Sequence, residues 1–133
     1  MKIKLDLYET HDYINNPISI TRGADNIIYI QLLYRETPCN LTNLKVRIGI
    51  ENRKFQIFEI DQQDISIEDA EKGIIKVILK DELLKVTGRT HLQVQVSRFK
   101  NDELYRRLTW MGFIYFADRN SSELLNYRRG IRL

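Results

Sequence analysis

A chain of 133 residues, 43% hydrophobic and 29% charged, has the composition of one globular domain and not of a disordered or fibrous protein. Its 6 Gly and 2 Pro leave no low-complexity linker, and its single cysteine, Cys39, excludes an intrachain disulfide and fits a reducing compartment. A net charge of +3 is small for a dedicated nucleic-acid binder, and the longest apolar run, Trp110 to Ala117, is too short to span a bilayer.

The opening residues alternate Ile3, Leu5 and Leu7 with Lys2, Lys4 and Asp6, the period-two pattern of a half-buried strand and not the apolar core of a secretory signal. Asn15-Asn16-Pro17 reads as a turn into a short strand from Ile18 to Arg22, and Gly23-Ala24-Asp25-Asn26 reads as a second turn. Asn26 to Tyr34 is a strong strand, apolar on nearly both faces. A loop around Pro38 leads to the cleanest alternation in the chain, Leu44, Val46, Ile48 and Ile50, which Asn52-Arg53 joins to Lys54–Ile60 as a hairpin.

Asp61 to Lys72 reads as an irregular acidic connection with a brief strand at Ile65–Ile67, and Gly73 ends it before the strand Ile74–Lys80. Asp81 to Val86 is the one short internal helix expected, with Asp81 placed to cap it and Gly88 to end it. Thr90 to Arg98 and Leu104 to Ala117 are the last long strands, separated by a turn at Lys100-Asn101-Asp102, the final one with a bend expected at Gly112. A short C-terminal helix is expected from Ser121 or Ser122, before the basic end Arg128-Arg129-Gly130-Ile131-Arg132-Leu133.

Seven to eight strands joined by short turns predict an all-β fold, an antiparallel immunoglobulin-like β-sandwich over residues 1–118, followed by a basic tail over residues 119–133. A closed barrel competes with the sandwich, and strand count does not separate them. Charge is unevenly spread. Glu51 to Lys72 holds seven acids and three bases, whereas Arg98 to Leu133 holds eight bases and four acids. Such a chain can complement a copy of itself or a neighbouring subunit, or simply carry two solvated surfaces.

The chemical inventory is poor. His11 and His91 lack Cys, His or carboxylate neighbours at metal-ligand spacing, and nothing local lowers the pKa of Cys39. Adjacent acids such as Asp81-Glu82 and Asp102-Glu103 point to opposite faces of a strand, and the acidic stretch lacks a calcium-loop pattern. No glycine loop is built to cradle phosphate. The expectation is therefore no enzyme, no cofactor and no metal, with no membrane insertion. Nucleic acid is not expected either, because Arg106 and Arg107 on one strand face opposite ways.

The informative feature is apolar excess. On Asn26–Tyr34, Ile28, Ile30, Leu32 and Tyr34 share one face, and Ile27, Tyr29 and Leu33 share the other. On the last strand Leu108, Trp110, Ile114 and Phe116 oppose Met111, Phe113 and Tyr115. A lone sandwich has wet outer faces, so this excess calls for cover. Either a segment of the chain folds over an outer face, the C-terminal helix or the Glu59–Lys72 connection, or the faces are protein–protein interfaces. On the second reading the contact residues are Ile27, Tyr29, Phe113 and Tyr115, with Arg128, Arg129 and Arg132 docking an acidic neighbour. Exposed tyrosines such as Tyr105 and Tyr115 also allow a carbohydrate-binding module, provided that two of them form one flat platform.

The order Arg22-Gly23-Ala24-Asp25-Asn26, then Pro38-Cys39-Asn40-Leu41-Thr42-Asn43-Leu44-Lys45-Val46, then Gly73 to Leu79, Thr87-Gly88 and a final apolar strand ending at Ala117-Asp118 resembles the N-terminal domain of the phage baseplate upper protein family. The resemblance covers residues 18 to 118. It implies an immunoglobulin-like module in the tail or baseplate of a phage of Gram-positive bacteria, a virion protein made in the host cytoplasm. Its implied role is non-enzymatic, through contacts with other tail or baseplate proteins and as a homo-oligomer within a larger assembly. In that family a helical linker and receptor-binding-protein holders usually follow the domain. A short basic tail at this point resembles a reduced version, a trimmed form or a related subunit with another attachment role.

Overall fold

The alternating segments pair into two sheets. The structure, a computed structural model, describes residues 2–8, 11–13, 18–21, 23–51, 56–81 and 88–118. In chain order the first strands are β1 (Lys2–Asp6), β2 (His11–Tyr13), β3 (Ile18–Ile20), β4 (Asn26–Tyr34), β5 (Thr37–Pro38) and β6 (Leu44–Glu51). There follow β7 (Ile57–Glu59), a 3-10 turn (Gln62–Asp64), β8 (Ile65–Asp69), β9 (Ile74–Leu79), β10 (Gly88–Lys100) and β11 (Glu103–Asp118). One sheet runs β1-β4-β9-β8 with β5 on the end of β4; the other runs β2-β11-β10-β6-β7 with β3 also on β11.

The two inner faces share a single core. Ile28, Ile30, Leu32, Ile75, Val77 and Leu79 from the first sheet pack with Val46, Ile48, Ile50, Leu92, Val94, Val96, Trp110, Ile114 and Phe116 from the second. The molecule is thus a β-sandwich, its hydrophobic residues removed from water between the layers.

The sheets are mixed, which corrects the expectation of a purely antiparallel sandwich. β1 runs parallel to β4, with Ile3 opposite Ile30 and Leu5 opposite Leu32. β2 and β3 run parallel to β11, one after the other along the same strand. Hairpin spacing fixes direction only for strands adjacent in sequence; β1, β2 and β3 pair with strands far away in the chain, and their direction is set by where the core accepts Ile3, Leu5, Ile18 and Ile20.

Two further expectations are revised, and a third falls largely outside the described residues. The acidic connection is ordered, with β8 lying antiparallel beside β9 as an edge strand, so it extends a sheet and does not cover an outer face. β11 pairs with β10 without a shift through Gly112; the irregularity falls at Arg98/Phe99, where Tyr105 bulges between Leu104 and Arg106. Both expected helices, Asp81 to Val86 and the one near Ser121, fall mostly or wholly outside the described residues. Among the described residues, Gln62–Asp64 form a 3-10 turn and Asp81, where the internal helix is expected to begin, also has 3-10 conformation.

Side chains in the connections hold the ends of the sandwich. The Asn26 carboxamide accepts from the Thr21 N–H (2.9 Å) and donates to the carbonyls of Thr21 and Ala24. The Gly23 N–H donates to Asp81 Oδ1 (2.8 Å), and the Asp81 N–H donates to Asp25 Oδ1. Lys80 reaches both Asp25 and the buried Asp64 (Nζ to Oδ1, 3.6 Å). At the opposite end, Asn40 Oδ1 accepts from the Thr42 N–H and Oγ1, closing a turn through its side chain, while the fully buried Leu41 anchors the loop to the core. Gly73 has φ +71°, and a methyl group there would overlap the Leu32 carbonyl oxygen.

Candidate interaction surfaces

Strand register decides which predicted contact residues can act together. Ile27 and Tyr29 project from the outer face of the β1-β4-β9-β8 sheet, where Ile27 lies opposite Ile78 and Tyr29 between Lys2 and Lys76. Phe113 and Tyr115 project from the outer face of the other sheet, beside Met111. These faces point away from each other across the core, so the four residues form two surfaces and not one. Ile27, Met111 and Tyr115 are exposed; Tyr29 and Phe113 are half-buried. Arg128, Arg129 and Arg132 lie outside the described residues.

The outer face of the six-stranded sheet carries a shallow depression at Gly49, where the row Lys45, Arg47, Gly49, Glu51 lacks a side chain. Arg47, Glu59, Ile57, Gln93, Gln95 and Met111 ring it. Arg47 and Glu59 form a two-pronged ion pair, Nε to Oε1 at 2.6 Å and Nη2 to Oε2 at 2.9 Å. The Glu59 hydrogen bond raises the arginine pKa further, and the same bond lowers that of the carboxylate.

His91 has a partner that chain distance conceals. It lies opposite Glu51 across β10 and β6, with Nδ1 3.3 Å from Oε2, and its ring packs on Phe113 at 4.3 Å. This is one carboxylate and one imidazole on an exposed sheet face. Among the described residues no group of three or more His, Cys, Asp or Glu side chains is placed to hold a metal. Burial pushes the Cys39 thiol pKa up, against the opposing charge of Arg98, the reverse of what a thiolate nucleophile needs.

One end of the sandwich gathers aromatic and basic side chains. Tyr34, Cys39, Asn40, Leu44, Val96, Arg98, Tyr105, Arg106 and Leu108 line a cleft of about 380 Å³ there. Beside it the Arg35 guanidinium lies 4.5 Å over the Tyr8 ring, and Tyr8 meets Tyr34 edge-on at 5.7 Å. Tyr105 is at this end and Tyr115 near the other; ten residues of strand, about 33 Å, separate them, so they do not make one sugar platform.

The family model of the BppU N-terminal domain matches residues 1–125. The chain belongs to that family. The BppU N-terminal domain is the N-terminal domain of phage baseplate upper proteins, which makes this a phage baseplate structural family. Among solved structures, the N-terminal domain of phage TP901-1 ORF48 is similar in fold, with a TM-score of 0.64 at 14% sequence identity, covering 89% of this chain and 100% of that one. No curated protein sequence matches. Of the turns that carry the resemblance in the sequence, Gly23–Asn26 and Asn40–Thr42 are held by side-chain hydrogen bonds, and Gly73 by a close backbone approach that leaves no room for a side chain.

Proposed function

We propose that this BppU N-terminal domain is a non-enzymatic subunit of a phage tail or baseplate that works as an assembly or adaptor module through protein–protein contacts. Family membership over residues 1–125 carries the reading. Exposed Ile27 on one outer face, with Met111, Tyr115 and Ile57 on the other, supports it, because apolar side chains on both outer faces favour cover by neighbours. The crossing of the N-terminal segment from β4 to β11 supports an immunoglobulin-like variant of the sandwich.

On this reading the chain is made in the host cytoplasm and resides in the virion, against other tail or baseplate proteins and copies of itself. Immunogold labelling of purified particles with antibody against the chain tests it. Label at the tail tip is the expected result; particles that lack the chain would overturn the reading.

A further inference from the structure

The core-facing rows of β10 and β11 do not end in apolar residues. Leu92, Val94 and Val96 on β10 are followed on the same face by Arg98, and Trp110 and Leu108 on β11 are preceded on the same face by Arg106. The register places Val96 opposite Leu108 and then Arg98 opposite Arg106. Like charges directly across a strand pair destabilise it. Among the described residues neither guanidinium has a carboxylate partner, whereas Arg47 is paired with Glu59 and Lys80 reaches Asp25 and Asp64. Both arginines line the cleft at the mouth of the sandwich, whose floor is Leu44, Val96 and Leu108. A carboxylate with an apolar neighbour fits this arrangement: guanidinium groups bind the charge and the floor takes the alkyl group. A phosphate polymer has nothing for the floor.

The chain itself displays such a segment. Ile67 and Glu68 on edge strand β8, and Glu71 in the turn after it, are exposed, and neither glutamate is ion-paired among the described residues. This segment lies at the same end as the cleft: the Leu41 N–H donates to the Ala70 carbonyl (2.8 Å), and Asn40, next to Leu41, lines the cleft. One end of the molecule therefore carries a positive half and a negative half. Two copies related by a two-fold axis match both halves at once.

We propose that this end is an isologous contact between two copies, with Arg98 and Arg106 of each receiving Glu68 and Glu71 of the other and Ile67 lying on the cleft floor. The inference rests on the reading of the chain as a subunit that works through contacts, and it names one partner.

Sedimentation velocity over a concentration series tests it, using the full chain, R98E/R106E, E68K/E71K and an equimolar mixture of the two variants. The expected result is a concentration-dependent dimer for the full chain, weakened at least tenfold in each variant alone and by raised salt, and regained in the mixture, where opposite charges face each other again. Unchanged far-ultraviolet circular dichroism and thermal midpoint confirm that the variants fold. A full chain that stays monomeric, a dimer that R98E/R106E leaves intact, or a mixture that stays monomeric overturns the two-fold contact. So does loss of binding to a different tail protein, with self-association absent, in R98E/R106E. None of these outcomes touches the tail-tip labelling, so failure of this contact and failure of the proposed function are separately visible.

Discussion

Asn26 ties the start of β4 to the turn before it through three hydrogen bonds from one carboxamide. N26A removes all three and leaves two backbone carbonyls and one N–H to water, an expected loss of about 1–3 kcal/mol in urea unfolding. Leu41, fully buried in a loop, is a core residue outside any strand, and L41A is expected to cost about 2–5 kcal/mol in the same measurement. Two glycines give a sharper contrast. Gly23 (φ +79°) has open space around it, so G23A carries only the backbone penalty, about 1–2 kcal/mol. Gly73 has the same kind of backbone with the Leu32 and Cys39 carbonyl oxygens in the way, so G73A is expected to cost clearly more than G23A.

At the level of elements, the corner where β1, β4 and β5 meet depends on one carboxylate. Asp6 accepts hydrogen bonds from the N–H groups of Tyr8 and Arg35 through Oδ1 and of Glu36 through Oδ2. Burial pushes its pKa up, but the three donors outweigh this and hold it below the ordinary aspartate value. A carboxyl whose folded pKa is depressed contributes stability that is present above the unfolded pKa and lost as pH falls through the folded one. The backbone N–H signals of Tyr8, Arg35 and Glu36 are therefore expected to shift together in acid, at a midpoint below that of a free aspartate, and D6N is expected to abolish that transition. The β10–β11 hairpin turns through Asn101 and Asp102, both with positive φ (52° and 63°). A turn of this kind favours Asn followed by Gly, so D102G is expected to raise stability by about 0.5–1 kcal/mol in thermal or urea unfolding.

At the scale of the whole molecule, the two outer faces are separate surfaces held apart by the core. I27K changes the β4 face and Y115K the β11 face, and both side chains are already exposed, so each substitution is expected to leave folding within about 0.5 kcal/mol. If both faces are covered in the assembled tail, the two substitutions weaken different contacts. Incorporation of each variant into particles, measured by quantitative mass spectrometry of purified virions, is then expected to fall for each alone and to fall further for the pair. A chain in which only Y115K lowers incorporation uses the six-stranded face alone.

Much of this was legible in the sequence because strand alternation is a local property. Lys2–Asp6 and Leu44–Glu51 follow from period-two spacing, since a strand with one dry face must alternate, and Asn26–Tyr34 and Ile74–Leu79 follow from short, β-branched apolar runs bounded by turns. The locked turns follow from Asn and Gly, whose side chain or lack of one permits those backbones. Pairing over long distances is not local. Only the tertiary structure set β1 parallel to β4, made an edge strand of the acidic connection, put Glu51 beside His91, and sent Ile27 and Tyr115 to opposite sides. The same register turned Arg98 and Arg106 from two charges at the ends of alternating runs into a facing pair. Composition and spacing determine which residues are dry; which dry face meets which is decided by how the whole core closes.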